Sequence, residues 1–513
     1  MSTLTNLKIA VPLLLSKAMK KDSPQRLKVN QFLAQQMGDQ KGLWLKVGQM
    51  LALNPESWES FEGIPAGGEV SVIPKEEMLP FLEHLFEEQG LDLHQNFPSI
   101  KFPGIAASLS QVHDLTDSQG KNWVIKVKLP GIDEVVKNQL EMLGLIKKAG
   151  SLMSEKRQFA MDDYQKTFGE SFDRELNYEL ERENIINCSE LMTMTPSSYF
   201  PKLHPTIQGR NFIVMEKLEG IDFRSFSKEA TTEEKSQLAN LLTEQFITAY
   251  FALGKVQGDF HPGNFLIKRE GQGLSIQWLD LGQTLSPSAN ERMALYLAIS
   301  GALNGDALPL GGIFNAWDFD LNKLGHLSNR LPLLLHKFFA PILSTSSFNL
   351  SEWHLKKEVD EILGEDKWWF RTAGSSRFFL SIRQWIGLFS MLEELNVPIF
   401  FQGIWKKCEP KISQSLSGEE IKEVPLDGAS FNDLAKTLRV KITKENGKDV
   451  EVTLPARAIT EVIHFISPET LERMKEADVH LDKIILKALQ NGLTPCTLVD
   501  YHDTEAHYQV SLE

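Results

Sequence analysis

Between Gly258 and Asn264 the chain reads Gly-Asp-Phe-His-Pro-Gly-Asn and runs directly into the apolar Phe265-Leu266-Ile267. An aspartate five residues ahead of an asparagine, with Pro262-Gly263 supplying a turn and a strand following, is a spacing that suits phosphoryl transfer. Asp259 can orient an attacking hydroxyl or water while Asn264 reaches a magnesium ion across the tight loop. Alone the pattern is weak, because the same residues are what surface turns prefer. Its weight rises sixteen residues after Asn264, where the apolar run Ile276-Gln277-Trp278-Leu279 ends in Asp280-Leu281-Gly282, a place for a second metal-binding carboxylate.

Upstream, Trp123-Val124-Ile125-Lys126-Val127-Lys128 has the texture of a strand with a lysine in its middle. Such a lysine can bridge the α- and β-phosphates of a nucleotide if a glutamate holds it in place, and the helical stretch Glu175 to Asn184 offers several candidates. Either segment by itself is commonplace, a charged strand edge or a solvated helix face. The order of the parts is not: strand lysine, helical glutamate, Asp with Asn five later, then Asp-Leu-Gly.

Composition narrows the classes. With 513 residues and 42% hydrophobic content the chain can bury a sizeable core. Its formal net charge of −14 argues against general nucleic-acid binding, which needs a dominant basic surface. Residues 1–50 are the exception, with eight Lys or Arg against two Asp. That excess reads either as a membrane or anionic-ligand surface or, more simply, as the solvated face of a helix. Cys188, Cys408 and Cys496 are too widely spaced for a disulfide framework or a cysteine zinc site, which fits a reducing compartment and a cytoplasmic location. The apolar run Ile9 to Leu15 is short and contains Pro12, a poor signal peptide. No uninterrupted stretch reaches the roughly 20 apolar residues needed to cross a bilayer.

Four segments are expected. Residues 1–100 form a helical extension, with a loop at Pro55 to Pro74 and an amphipathic helix at Lys75 to Gln89. Residues 101–217 are a small mixed lobe with strands at Gln111 to Asp114, Trp123 to Lys128 and Phe212 to Lys217 and helices at Ile132 to Ser154 and Tyr164 to Met192. Residues 218–425 are a helix-rich lobe. Residues 426–513 are a small α+β appendage: two alternating runs, Leu438 to Thr443 and Asp449 to Thr453, flank the Asn-Gly hairpin signal in Glu445 to Lys448, with helices at Ala456 to Ile466, Pro468 to Ala477 and Leu481 to Asn491 and a last strand at His507 to Leu512. His113, His204, His261 and the other histidines show no metal-ligand spacing, and His261 reads as structural within its loop.

The motif order resembles the UbiB/AarF family of atypical protein-kinase-like proteins over approximately residues 35–400. Lys46-Val47-Gly48-Gln49 matches the family's KxGQ signature, Pro103 to His113 its alanine-rich nucleotide loop, and Val214 to Gly220 its hinge between lobes. The resemblance implies an α+β, bilobal, protein-kinase-like fold that binds ATP and Mg²⁺. It implies that Lys126 pairs with Glu181, that Asp259 is catalytic, that Asn264 and Asp280 hold the metal, and that Ala106, Ala107, Ser108, Met215 and Glu216 line the nucleotide. It places Glu175 opposite Lys46, with Lys46 and Gln49 over the site, leaving room for ATP but little for a peptide.

The expected activity is therefore that of an ATPase or atypical kinase acting on water or on a small, lipidic or isoprenoid acceptor, with isoprenoid quinone (ubiquinone) or lipid metabolism as its setting. Any membrane contact is expected to be peripheral, through the basic N-terminal helix or apolar helices of the large lobe. Two other readings stand beside it: a conventional protein kinase, which the Lys46 to Gln49 extension disfavours, and a non-catalytic ATP-binding scaffold. Three departures from the family pattern lend the scaffold support: Asn177 for an aspartate, Gln257 for a histidine, and Leu281 for the usual phenylalanine.

Overall fold

The structure, a computed structural model, describes residues 72–106, 109–137, 173–191, 197–258, 260–271, 273–282, 284–426, 435–444, 449–491, 493–502 and 506–513. Lys46, Gln49, Ala107, Ser108, Asp259 and the basic N-terminal stretch lie outside them. The fold is α+β, and the described chain divides into two compact units. The first runs up to Glu229 and resumes at Gln257–Leu285; the second comprises Ala230–Val256 and Ser286–Glu513.

The first unit is built on an antiparallel sheet whose long strands are β1 (Ser110–Thr116), β2 (Asn122–Lys128), β3 (Leu203–Gln208) and β4 (Phe212–Glu216), in the order β1-β2-β4-β3. Ser99–Ile100 and Ile105–Ala106 both pair with β1. Along β2 the side chains alternate between two covered faces, as the pleat requires. Trp123, Ile125 and Val127 point to one face, where they are buried with Phe212, Val214 and the apolar stripe Met78, Leu82, Leu85 and Phe86 of helix α1 (Lys75–Glu87). Phe86 stacks on Phe212 with ring centroids 5.1 Å apart, a contact worth ~0.5–1.5 kcal/mol beyond its buried area. Lys126 necessarily points to the other face, where helix α2 (Tyr178–Leu191) brings Tyr178, Ile185 and Cys188 against Ile213, Met215 and Leu281.

A second sheet in this unit is centred on the hairpin β5 (Phe265–Glu270) and β6 (Gly273–Trp278), with Ile221–Asp222 beside β5 and Ser198–Tyr199 parallel to β6. Phe265 faces Trp278 in its register, so Asn264 and Leu279 extend the ladder: Leu279 N–H donates to Asn264 O at 2.8 Å. This single bond sets Asn264 beside the residue that precedes Asp280.

The second unit is mainly helical before its last domain. Helix α3 (Thr232–Ile247) and helix α4 (Ala289–Asn304) each start with a capping box, Thr231 with Glu234 and Ser288 with Glu291, which satisfies N-terminal amides that the helix leaves without partners. Phe246, Tyr250 and Phe251 pack around Trp385 of helix α5 (Ser376–Leu395), and Phe251 also meets Trp405 of helix α6 (Phe401–Ser415). The C-terminal part is a four-stranded antiparallel sheet of β7 (Thr437–Lys444), β8 (Asp449–Pro455), β9 (Cys496–His502) and β10 (Ala506–Leu512), in the order β8-β7-β10-β9. Helices α7 (Pro468–Glu476) and α8 (Leu481–Gln490) accompany it, and Ala456–Phe465 is a 3-10 rather than an α-helix. Strands β3 and β9 are absent from the sequence reading. Pro205 interrupts the apolar pattern of β3, and in β9 the adjacent Leu498 and Val499 break the apolar–polar alternation, where its register with β10 shifts. Among the described residues no helix is long and apolar enough to cross a membrane.

Candidate functional site

In α2 the buried positions Tyr178, Glu181, Ile185 and Cys188 recur at helical spacing, so Glu181 occupies the apolar stripe itself. That stripe faces the side of β2 that carries Lys126. The result is a buried ion pair: Lys126 Nζ lies 2.7 Å from Glu181 Oε1 and 2.9 Å from Oε2, with the two residues 7% and 0% exposed. Asp280 Oδ2 approaches the same ammonium at 3.1 Å, but this carboxylate keeps a side open to solvent. Burial works against a charged lysine, yet the carboxylates of Asp280 and Glu181 outweigh it and hold Lys126 above the usual lysine range. Lys126 Nζ also stands 5.6 Å from the centre of the Tyr178 ring.

Asp280 is fixed by its own backbone. Its Oδ1 accepts from Gly282 N–H at 2.8 Å, and its carbonyl accepts from the Gln257 amide. The next carbonyl, of Leu281, accepts from Asn184 Nδ2 at 3.0 Å, and Asn184 Oδ1 in turn accepts from Thr284. Leu281 itself is 3% exposed and packs with Ile213 and Met215. The turn is thus tied to α2 and to the sheet. A Cβ on Gly282 would come within 3.2 Å of Asp280 Oδ1 and 3.3 Å of Glu181 Oε2, so a side chain here would press on both carboxylates.

On the neighbouring strand, the 3-10 turn Pro262–Asn264 is closed by His261, whose Nδ1 accepts from Gly263 N–H at 3.1 Å. Asn264 is half-buried at the start of β5. Asn264 and Asp280 therefore sit at one end of the β5–β6 hairpin. A carboxylate and an amide oxygen are the hard donors that Mg²⁺ accepts, and a buried ammonium beside them suits a phosphate chain, so these residues fit a magnesium–nucleotide complex.

The remaining expected residues are placed as follows. Ala106 is half-buried in the short strand opposite Gln111. Met215 is buried on β4, and Glu216 at its end has its N–H already donated to Lys202 O at 2.8 Å. Glu175 is half-buried in a helical turn that precedes α2. Between them Asn177 starts the helix, its Oδ1 accepting from Leu180 N–H at 3.1 Å. Asparagine is as good a cap as the aspartate it replaces. Sequence reasoning did not single out Asn184; its signal is a polar residue three positions beyond Glu181 that is 4% exposed.

Comparison with known proteins bears on the same segment. Residues 69–310 match the family model of the ABC1 atypical kinase-like domain, and residues 436–512 match that of the YvlB-like protein C-terminal domain. A protein of Clostridium pasteurianum, "Uncharacterized protein in hydrogenase 1 5'region", is 28% identical over 265 residues, 50% of this chain and 48% of that protein. The chain thus matches about half the length of this relative. Among solved structures, the Rv3197–erythromycin complex of Mycobacterium tuberculosis is similar at 17% identity and a TM-score of 0.46, over 79% of this chain and 98% of that one. The Rio2 kinase–ADP/Mg²⁺–phosphoaspartate complex of Chaetomium thermophilum is similar at 13% identity and a TM-score of 0.28, over 80% and 97%. The strand lysine, the helical glutamate and the Asp-Leu-Gly turn all fall within residues 69–310, so the segment that carries the site is an ABC1 atypical kinase-like domain.

Proposed function

We propose that the first unit binds Mg-ATP and that the protein is an ATPase or atypical kinase passing the γ-phosphoryl group to water or to a small or lipidic acceptor. The observation that carries this reading is the buried Lys126–Glu181 pair with Asp280 Oδ2 3.1 Å from the same ammonium. When bound, Mg-ATP supplies the transferable phosphoryl group and the metal charge that offsets its oxygens. Lys126 grips the phosphate chain, Glu181 keeps Lys126 aimed, and Asp280 with Asn264 holds the metal. Asp259 orients the acceptor. Such preorganised charges and donors stabilise the charge that develops in transfer without having to reorganise.

The positions that depart from the family pattern support a working site over an eroded scaffold. Asn177 caps α2, Gln257 holds the Asp280 carbonyl, and Leu281 fills the core under the turn. We also propose the division into an extension (1–100), a small lobe (101–217), a large lobe (218–425) and a C-terminal domain (426–513), with Ala106, Ala107, Ser108, Met215 and Glu216 along the nucleotide and Lys46, Gln49 and Glu175 regulating access. A role in isoprenoid quinone or lipid metabolism, at the periphery of a membrane, is the setting this reading favours. The test is phosphate release from Mg-ATP with and without anionic liposomes. Release by the wild type, raised by liposomes and abolished in Asp280→Asn, supports the proposal. No release under either condition would leave an ATP-binding scaffold.

A further inference from the structure

The C-terminal sheet carries a cluster that the nucleotide site does not use. On β9 and β10 the pleat sorts side chains by face. Val499 and Val510, opposite one another, are 3% and 1% exposed, and the next pair, Tyr501 and Tyr508, shares their face, with Tyr508 reaching Thr470 of α7 at 3.4 Å. The alternate residues Asp500, His502, His507 and Gln509 consequently fall on the other, solvent-facing side. His502 lies directly across from His507 and Asp500 across from Gln509.

The pairing brings three metal-ligand side chains together. One donor atom from each of Asp500, His502 and His507 lies within 4.8 Å of the other two. His507 Nε2 is 2.5 Å from Asp500 Oδ1, and the two imidazole rings are stacked with centroids 3.5 Å apart and planes at 15°. Gln509 Nε2 donates to the remaining oxygen of Asp500 at 3.4 Å, an outer partner of the kind that orients a ligating carboxylate.

We propose that Asp500, His502 and His507 form a binding site for a divalent transition-metal ion of the zinc type. Two imidazoles and one carboxylate are the donors of such ions and not of Ca²⁺ or Mg²⁺, which take all-oxygen sets. Bonds of about 2 Å to each donor require donor separations of roughly 3.4 Å in a tetrahedral site. No two of the three donors are farther apart than 4.8 Å, and the stacked rings must turn until their in-plane lone pairs converge, a motion open to side chains on a solvent-exposed face. The metal takes the place of the hydrogen bond between His507 and Asp500. Three protein donors leave a fourth position facing solvent, open to water or an external ligand.

The test uses the full chain, stripped of metal, titrated with Zn²⁺ against a chromophoric chelator, and Cu²⁺ electron paramagnetic resonance on the same samples. The wild type should take up one Zn²⁺ that His502→Ala and His507→Ala each weaken by at least about 100-fold, since even outer-partner changes cost 10–100-fold, and Gln509→Leu should weaken it about tenfold. The Cu²⁺ spectrum should show two nitrogen ligands in the wild type and one in either histidine variant. Circular dichroism and melting of the variants should match the wild type, because all three side chains lie on the outer face. Zn²⁺ uptake of equal affinity in wild type and both histidine variants, or none in the wild type, would overturn the assignment.

Discussion

Lys126 Nζ lies 2.7 Å from Glu181 Oε1, although 55 residues separate them in the chain, and both side chains are buried. Strand alternation aims the lysine, and helical spacing aims the glutamate. A buried pair of this kind is costly to break and cheap to replace. Lys126→Met or Glu181→Gln alone should destabilise the protein by about 3–5 kcal/mol, whereas Lys126→Met with Glu181→Leu should recover most of the loss. Urea unfolding of the three variants checks this, and a double variant no more stable than either single one would contradict it.

Asn184 ties α2 to the turn that presents Asp280, by donating to Leu281 O and accepting from Thr284. Asn184→Leu should cost about 1–3 kcal/mol, because it leaves the Leu281 carbonyl buried without that donor. It should also weaken magnesium-dependent nucleotide affinity, although Asn184 is not among the proposed nucleotide or metal ligands. Calorimetric titration of the folded variant reads the second effect.

Gly104 has no room for a side chain. A Cβ there would stand 2.6 Å from Val112 O and 2.7 Å from His113 Cε1, and the first of these is backbone that cannot swing aside. Gly104→Ala should lower stability by about 1–3 kcal/mol, as overpacking does. A melting temperature equal to that of the wild type would show that the Gly104 segment sits farther from β1 than described.

His113 is 1% exposed, donates from Nδ1 to Lys101 O at 3.2 Å and accepts from Gln111 at 3.1 Å. Burial holds its pKa below the ordinary 6.5, against the opposing pull of Lys101 O and Asp114. The unfolded chain therefore takes up this proton at a higher pH than the folded one. The stability that a neutral His113 permits is fully present above pH 6.5 and is lost as pH falls through the lowered value. The melting temperature should drop more between pH 7.5 and 5.5 for the wild type than for His113→Gln. His204, also lowered chiefly by burial, keeps a residual slope in the variant.

What was legible in the sequence were the features with a short period or a fixed spacing. The alternation around Lys126 predicts a strand at Trp123 to Lys128, and the structure has one at Asn122–Lys128. The apolar spacing of Met78, Leu82, Leu85 and Phe86 predicts the helix found at Lys75–Glu87. The Asp259-to-Asn264 spacing and the Asp-Leu-Gly run single out the start of β5 and the residues after β6, which the pairing brings together at one end of the hairpin. Residues whose roles depend on partners far away in sequence were not legible. Asn184 looks like any polar residue on a helix until Leu281 O arrives 97 residues later. Asp500, His502 and His507 show no metal-ligand spacing along the chain, and only the pairing of β9 with β10 puts them on one face.

The most direct test of the account is magnesium-dependent ATP binding by the purified full chain, measured calorimetrically for the wild type, Lys126→Ala and Asp280→Asn. The account predicts that the wild type binds one ATP only when Mg²⁺ is present, that Lys126→Ala loses most of the affinity, and that Asp280→Asn loses its magnesium dependence. Absence of magnesium-dependent binding by the wild type, or equal binding by all three proteins, would contradict the claim that Lys126, Glu181 and Asp280 form a nucleotide site.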